Sequence, residues 1–270
     1  MMHPLVSRRV AQARLLGLLV AARAPARPSS ALVRFDQQPL RNRYILVRAG
    51  ETASDAKGVI NSNPINRADV EMGGLTARGR RQVVAAARAI HARGVRAPVI
   101  WFSTAASSTQ TALVISDEFR LPRYSPVPEY NFLDARGLGA LDGGPVAALA
   151  DVHAADARDE GSRPPASDDG TPDESVGDVI TRARQMLSIT ETQNMGQDVI
   201  IVAPDSDVLS LIAASMCGVP LGEHAARFAM APGDVRDLSQ LADTSTWRAR
   251  RSQPTCAAPP AEPPDAPPPD

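Results

Sequence analysis

Three short segments of this 270-residue sequence hold side chains that could act on a ligand. Arg48-Ala49-Gly50-Glu51-Thr52 offers a cation and a carboxylate, Ser103 to Thr111 offers hydroxyls at Ser103, Thr104 and Ser107, and Ala203-Pro204-Asp205-Ser206 offers a carboxylate. A hydroxyl becomes a nucleophile when a base stands beside it, and none of the three segments contains a histidine. The histidines, His3, His91, His153 and His224, show no ligand spacing along the chain. Cys217 and Cys256 form neither a Cys-x-x-Cys pair nor a disulfide framework, so no metal centre is expected and a reducing compartment is. Gly137-Leu138-Gly139-Ala140-Leu141-Asp142-Gly143 superficially resembles a dinucleotide fingerprint. Its last gap is one residue too long and no central strand precedes it, so these glycines read as turns. Arg78, Arg80, Arg81 and Arg88 read as the solvent face of a helix rather than a basic patch, with His91 on its surface.

The elements that must position these segments alternate between strand and helix. Arg43 to Val47, Val99 to Ser103 and Asp198 to Val202 are buried-strand candidates. From Thr76, Val83, Val84, Ala87 and Ile90 share a helical face, with Thr76 as cap and Gly94 as stop. Further helices are expected over Thr109 to Phe119, Ser175 to Thr192 and Ser206 to Met216, and a last strand around Phe228 to Leu238, where Pro232 and Gly233 interrupt. This order predicts a three-layer α/β/α sandwich with a mainly parallel sheet, in which ligands collect at the carboxyl ends of the strands. The three segments lie at such ends.

The motifs carry a resemblance. Tyr44-Ile-Leu-Val-Arg-Ala-Gly-Glu-Thr52 resembles the opening strand of the histidine phosphatase superfamily, the phosphoglycerate mutase-like fold, which reads L-V-R-H-G-E-T. Gly74 to Gln82 is similar to its L-T-x-x-G-x-x-Q helix start, Ser103 to Ala112 to its S-P-L-x-R-A-x-Q-T-A segment, Asp173-Glu174-Ser175 to its G-E-S, and Val199 to Asp205 to its V-x-V-x-H-G strand end. These matches run in family order from about residue 43 to about 215, most of the chain between its ends.

The departures fall where the resemblance places the chemistry. The phosphoryl-accepting histidine of R-H-G corresponds to Ala49, the phosphate-clamping arginine to Ser107, the second histidine to Pro204 and the glycine after it to Asp205; of the family's two arginines and two histidines, Arg48 alone persists. An alanine methyl has no heteroatom to phosphorylate. Proline has neither a side-chain donor nor a backbone N–H, and losing an arginine removes a bidentate partner for phosphate. Asp205 adds a charge of the wrong sign, worth about 4 kcal/mol at about 4 Å with an effective dielectric near 20. The family's general acid corresponds to Glu129 or Asp134 in Pro128 to Arg136. A residual ligand pocket would comprise Arg48, Glu51, Ser103, Glu129, Asp134 and Asp205.

Composition completes the reading. The chain carries a net charge of −1 with 43% hydrophobic residues, and Lys57 is the only lysine among 29 basic residues. Residues 1–35 hold six arginines and no acid around the apolar cluster Leu15 to Val20, which suits an organelle transit peptide; a secretory signal is the competitor, but Arg23, Arg27 and Arg34 continue the basic pattern past the cluster. No apolar run approaches the roughly 18 residues of a bilayer span, and the acidic balance outside the leader disfavours nucleic acid. Expected boundaries are a leader over 1–37, the family-like domain over 38–247 with a polar insert at about 151–174 read as mostly exposed loop, and a proline-rich tail over 248–270. With the resemblance to a degenerate plastid-type group, these features predict a catalytically dead scaffold, binding or assembly protein. Its place would be the plastid, with the mitochondrion as second choice, and it would use protein partners, no cofactor and at most weak phosphometabolite binding. The alternatives are an active phosphomonoesterase or mutase with an altered site, or a phosphometabolite sensor.

Overall fold

Alternation along the strands decides what each face of the sheet meets. In β1 (Arg43–Arg48) Tyr44 and Leu46 point to one side and Ile45 and Val47 to the other, and all four are buried. Such a strand needs cover on both faces. β2 (Val99–Phe102) and β3 (Asp198–Ala203) follow the same rule: Trp101, Val199 and Ile201 join Tyr44 and Leu46, while Ile100, Phe102, Ile200 and Val202 join Ile45 and Val47. The strands lie in the order β2-β3-β1-β4, with β4 (Val235–Asp237) antiparallel to β1 and the other pairs parallel. The computed structural model describes residues 40–122 and 131–241. The expected leader, the proline-rich tail and Glu129 lie outside the described residues.

Between the strands run α1 (Ala53–Lys57), α2 (Val70–Gly73), α3 (Ala77–Ala92), α4 (Ala106–Glu118), α5 (Leu149–Arg158), α6 (Val176–Gln193), α7 (Ser206–Cys217), α8 (His224–Phe228) and α9 (Leu238–Leu241). α3 and α4 cover one face of the sheet through Val83, Ala87, Ile90, Ala112 and Ile115. α6 and α7 cover the other, through Val179, Ile180, Ala183, Leu187, Val208, Leu211 and Ile212. The three-layer arrangement is as the sequence predicts, and the sheet is mixed because of β4. Arg78, Arg80, Arg81 and Arg88 face solvent on α3, as the helical period requires. None of the described helices is long and apolar enough to cross a membrane.

Three boundaries differ from expectation. α4 starts at Ala106 rather than Thr109, which puts Ser107 and Ser108 in its buried first turn. The expected strand around Phe228 to Leu238 contracts to β4, because Phe228 ends α8 and Gly233 turns with φ +82. The stretch 151–174 is mostly loop, as expected, but its part up to Arg158 belongs to α5. There Leu149, Val152 and Asp156 recur at helical spacing, and Val152 packs with Ile60 and Leu138. Asp156 faces inward because it meets a buried arginine, a partner that a polarity reading cannot see.

Candidate functional site

The parallel strands end level, and this brings the three sequence segments together. Arg48 is in register with Ala203 and Phe102 with Val202; beyond them the Ala49 N–H donates to the Ala203 carbonyl at 2.9 Å and the Ser103 N–H to the Val202 carbonyl at 3.1 Å. Ala49, Ser103 and Pro204 therefore stand at one edge of the sheet. The Ala49 methyl is fully buried there and Pro204 is half-buried. Ser107 is also buried, in the first turn of α4.

The charged and hydroxyl groups at this edge are spent on the protein itself. The Arg48 guanidinium donates to the Met230 carbonyl at 2.8 Å and to Asp55 Oδ1 at 3.0 Å. Asp55 in turn closes a capping box with Thr52 at the start of α1, which fixes the carboxylate that holds Arg48. Glu51 accepts from Thr76 Oγ1 at 2.8 Å and pairs with Arg78 at 3.2 Å. Ser103 Oγ accepts from the Ala105 N–H at 3.0 Å. Asp134 accepts from the Thr104 N–H at 3.1 Å and pairs with Arg67 at 3.2 Å. Asp205 caps α7 by accepting from the Val208 N–H at 3.1 Å, and its other oxygen accepts from the Arg136 N–H at 2.8 Å. Of the described pocket residues, Arg48 keeps one buried donor, Nε, without a hydrogen-bond partner among the described residues.

Beside this edge lies a charged cluster that no motif announced. Arg136, its side chain fully buried, donates to both oxygens of Asp156 at 2.6 and 2.9 Å and reaches Asp207 Oδ2 at 3.4 Å. α5 supplies His153 and Asp156 and α7 supplies Asp207 and Ser210, each pair one helical turn apart, while α8 supplies His224. His153 Nε2 lies 2.9 Å from Asp207 Oδ1, and His224 Nδ1 lies 2.7 Å from Ser210 Oγ. The two imidazoles meet edge to face at 5.3 Å. A cavity of about 220 Å³ adjoins the cluster, lined by Arg136, Val152, Asp156 and Pro165 among others.

Burial would raise the pKa of Asp156 and Asp207, but hydrogen bonds and positive charge outweigh it. Asp156 is held below the usual range by His224 and Arg136, and Asp207 by His153, His224 and Arg136. Asp205 goes the other way, up to about 6, because burial disfavours its charge and Asp207 repels it. Burial lowers His153, yet the bond and charge of Asp207 leave its pKa raised. Neither spacing nor composition could have found this group: His153 and His224 lie far apart in the chain, and only the folding of α5 and α8 onto α7 brings them together.

The family model of the histidine phosphatase superfamily (branch 1) matches residues 44–251. Solved structures agree in fold. Mycobacterial glucosyl-3-phosphoglycerate phosphatase is 20% identical, with a TM-score of 0.56 over 72% of this chain and 90% of its own. The Entamoeba histolytica phosphoserine phosphatase in complex with 3-phosphoglyceric acid is 18% identical, with a TM-score of 0.53 over 72% of this chain and 88% of its own. Bacillus stearothermophilus YhfR is 21% identical, with a TM-score of 0.54 over 72% of this chain and 89% of its own. No curated protein matches the sequence.

Proposed function

This chain belongs to the histidine phosphatase superfamily, and we propose that it is a member that does not transfer phosphoryl groups and instead works as a binding, scaffold or assembly protein of the plastid. The observation that carries this reading is Ala49. It occupies the position that the resemblance gives to the phosphoryl-accepting histidine, and its methyl is fully buried at the strand edge. Ser107 and Pro204 support it, since one is buried in α4 and the other has no donor to offer. Arg48, tied to Asp55 and the Met230 carbonyl, is engaged rather than poised.

The test is turnover of phosphoserine, 3-phosphoglycerate and a chromogenic aryl phosphate by purified protein. The expected result is none above buffer, for the wild type and for Ala49→His alike. The single histidine restores a nucleophile, but not the clamp missing at Ser107 or the donor missing at Pro204. Robust wild-type turnover that disappears in Arg48→Ala overturns the reading. The plastid assignment rests on the six arginines and the missing acids of residues 1–35. A fluorescent protein fused behind residues 1–37 tests it: plastid import supports it, and mitochondrial import or secretion overturns it.

One observation favours a second reading, a sensor of a phosphorylated metabolite. The buried, unpartnered Nε of Arg48 is a donor that an anionic ligand could satisfy. Calorimetric titration with 3-phosphoglycerate decides between the two: saturable heat in the wild type that is lost in Arg48→Ala supports the sensor, and no heat supports the scaffold.

A further inference from the structure

The geometry points to a second site in this chain, which we propose binds a divalent transition-metal ion, Zn²⁺ by its donor chemistry, through His153 Nε2, His224 Nε2 and the Asp207 carboxylate. The three side chains place one donor atom each within 4.8 Å of one another. Two imidazoles and a carboxylate are the N and O donors that zinc accepts, and one carboxylate with two histidines is a common three-ligand set.

The hydrogen bonds around His224 aim one nitrogen at the ion. Ser210 has a single hydroxyl proton and donates it to the Asp207 carbonyl at 3.0 Å. With that proton on the carbonyl, His224 Nδ1 donates to Ser210 Oγ at 2.7 Å, the tautomer that the proposal takes. His224 Nε2 is then the free ligand nitrogen. It is buried in a side chain of no measurable exposure, has no hydrogen-bond partner among the described residues, and stands 3.6 Å from Asp156 Oδ2, too far for a hydrogen bond. In the metal-free protein a proton on Nε2 faces these carboxylates favourably, and the ion we propose takes that proton's place.

Charge leads to the same place. Asp156 and Asp207 share one guanidinium, that of Arg136. With both imidazoles neutral, one negative charge of that pair remains uncompensated, and a divalent cation answers it. The surrounding bonds behave as outer support for a metal site: Ser210 orients His224, while Arg136 holds the second oxygen of Asp207 and leaves Oδ1 to face His153. In a tetrahedral site with zinc bonds of about 2.0–2.2 Å the donors stand roughly 3.3 Å apart, so His153 Nε2 gives up its proton and its 2.9 Å hydrogen bond to Asp207 Oδ1, and the wider pairs draw closer. His153, whose side chain is 26% exposed on α5, has room to rotate inward, and its exposed side leaves a path for the ion and for a water ligand.

The experiment uses the full-length protein stripped with chelator. It measures Zn²⁺ uptake by elemental analysis after dialysis and by calorimetric titration, for the wild type, His153→Gln and His224→Gln, with circular dichroism confirming that each variant is folded. One tightly held Zn²⁺ per chain, weakened at least tenfold in His153→Gln, is expected. Because His153 is partly exposed, that variant keeps the test valid even if His224→Gln fails to fold. A wild type that takes up no Zn²⁺ overturns the site, with protons on the imidazoles then balancing the carboxylates. Undiminished uptake in His153→Gln also overturns it, since the ion would then sit elsewhere, for instance at His3 or Cys256.

Discussion

Arg136 is the residue whose removal should be felt most. Its guanidinium is fully buried and answers Asp156 and Asp207, neither of which has enough water around it to be screened. An apolar replacement leaves two carboxylates buried and short of a partner, which in such pairs costs about 3–5 kcal/mol. Arg136→Met is therefore expected to lower unfolding stability by that order in urea denaturation, and to regain part of the loss in the double variant with Asp156→Leu, where the orphaned charge is gone. A loss under 1 kcal/mol in the single variant would show that the cluster is better hydrated than its burial indicates. Asp205 illustrates the same principle with less at stake. The helix cap it supplies to α7 gives its carboxylate structural work independent of any ligand.

At the scale of the element, β4 is the informative case. It is short, antiparallel and at the edge of the sheet, and it is pinned where Asp237 meets Arg43 of β1 at 2.5 Å. Burial would raise the pKa of Asp237, but the hydrogen bonds of Arg43 and Ser239 outweigh it and leave it lowered. A carboxylate depressed in the folded state stabilises fully above its unfolded value of about 3.9, and that contribution is lost as pH falls through the folded value. The melting temperature should accordingly drop on acidification below about pH 4. Asp237→Asn should melt lower than wild type at neutral pH and lose less on acidification; equal acid-side slopes for the two proteins would place the titration elsewhere. The start of α3 depends on backbone proximity instead. Gly50 and Gly79 pack main chain against main chain, so that a Cβ on either would collide with the other's segment.

At the scale of the whole molecule, one sheet divides two apolar cores, and the strands feed both. Ile45 belongs to the core under α3 and α4, and Leu46 to the core under α6 and α7. Neighbouring residues of one strand thus couple the layers. Ile45→Ala and Leu46→Ala should each cost about 2–5 kcal/mol and shift a single transition seen alike by circular dichroism and tryptophan fluorescence; separate transitions would mean the layers unfold independently. The three parallel strands, the helical faces and the family were legible in the sequence. Period and motif order are local properties that survive without coordinates. The boundaries of α4 and β4 and the helical beginning of the 151–174 stretch were not, because a polar residue such as Asp156 turns inward only when a distant partner, Arg136, awaits it. The sequence by itself determined that the chain has the histidine phosphatase frame. Only the tertiary structure decided that Arg48 is engaged by Asp55 and Met230, and that His153 and His224 meet around Asp207. Both depend on side chains from separate elements converging in space, and hydrogen bonds and charge pairs formed that way leave no periodicity along the chain.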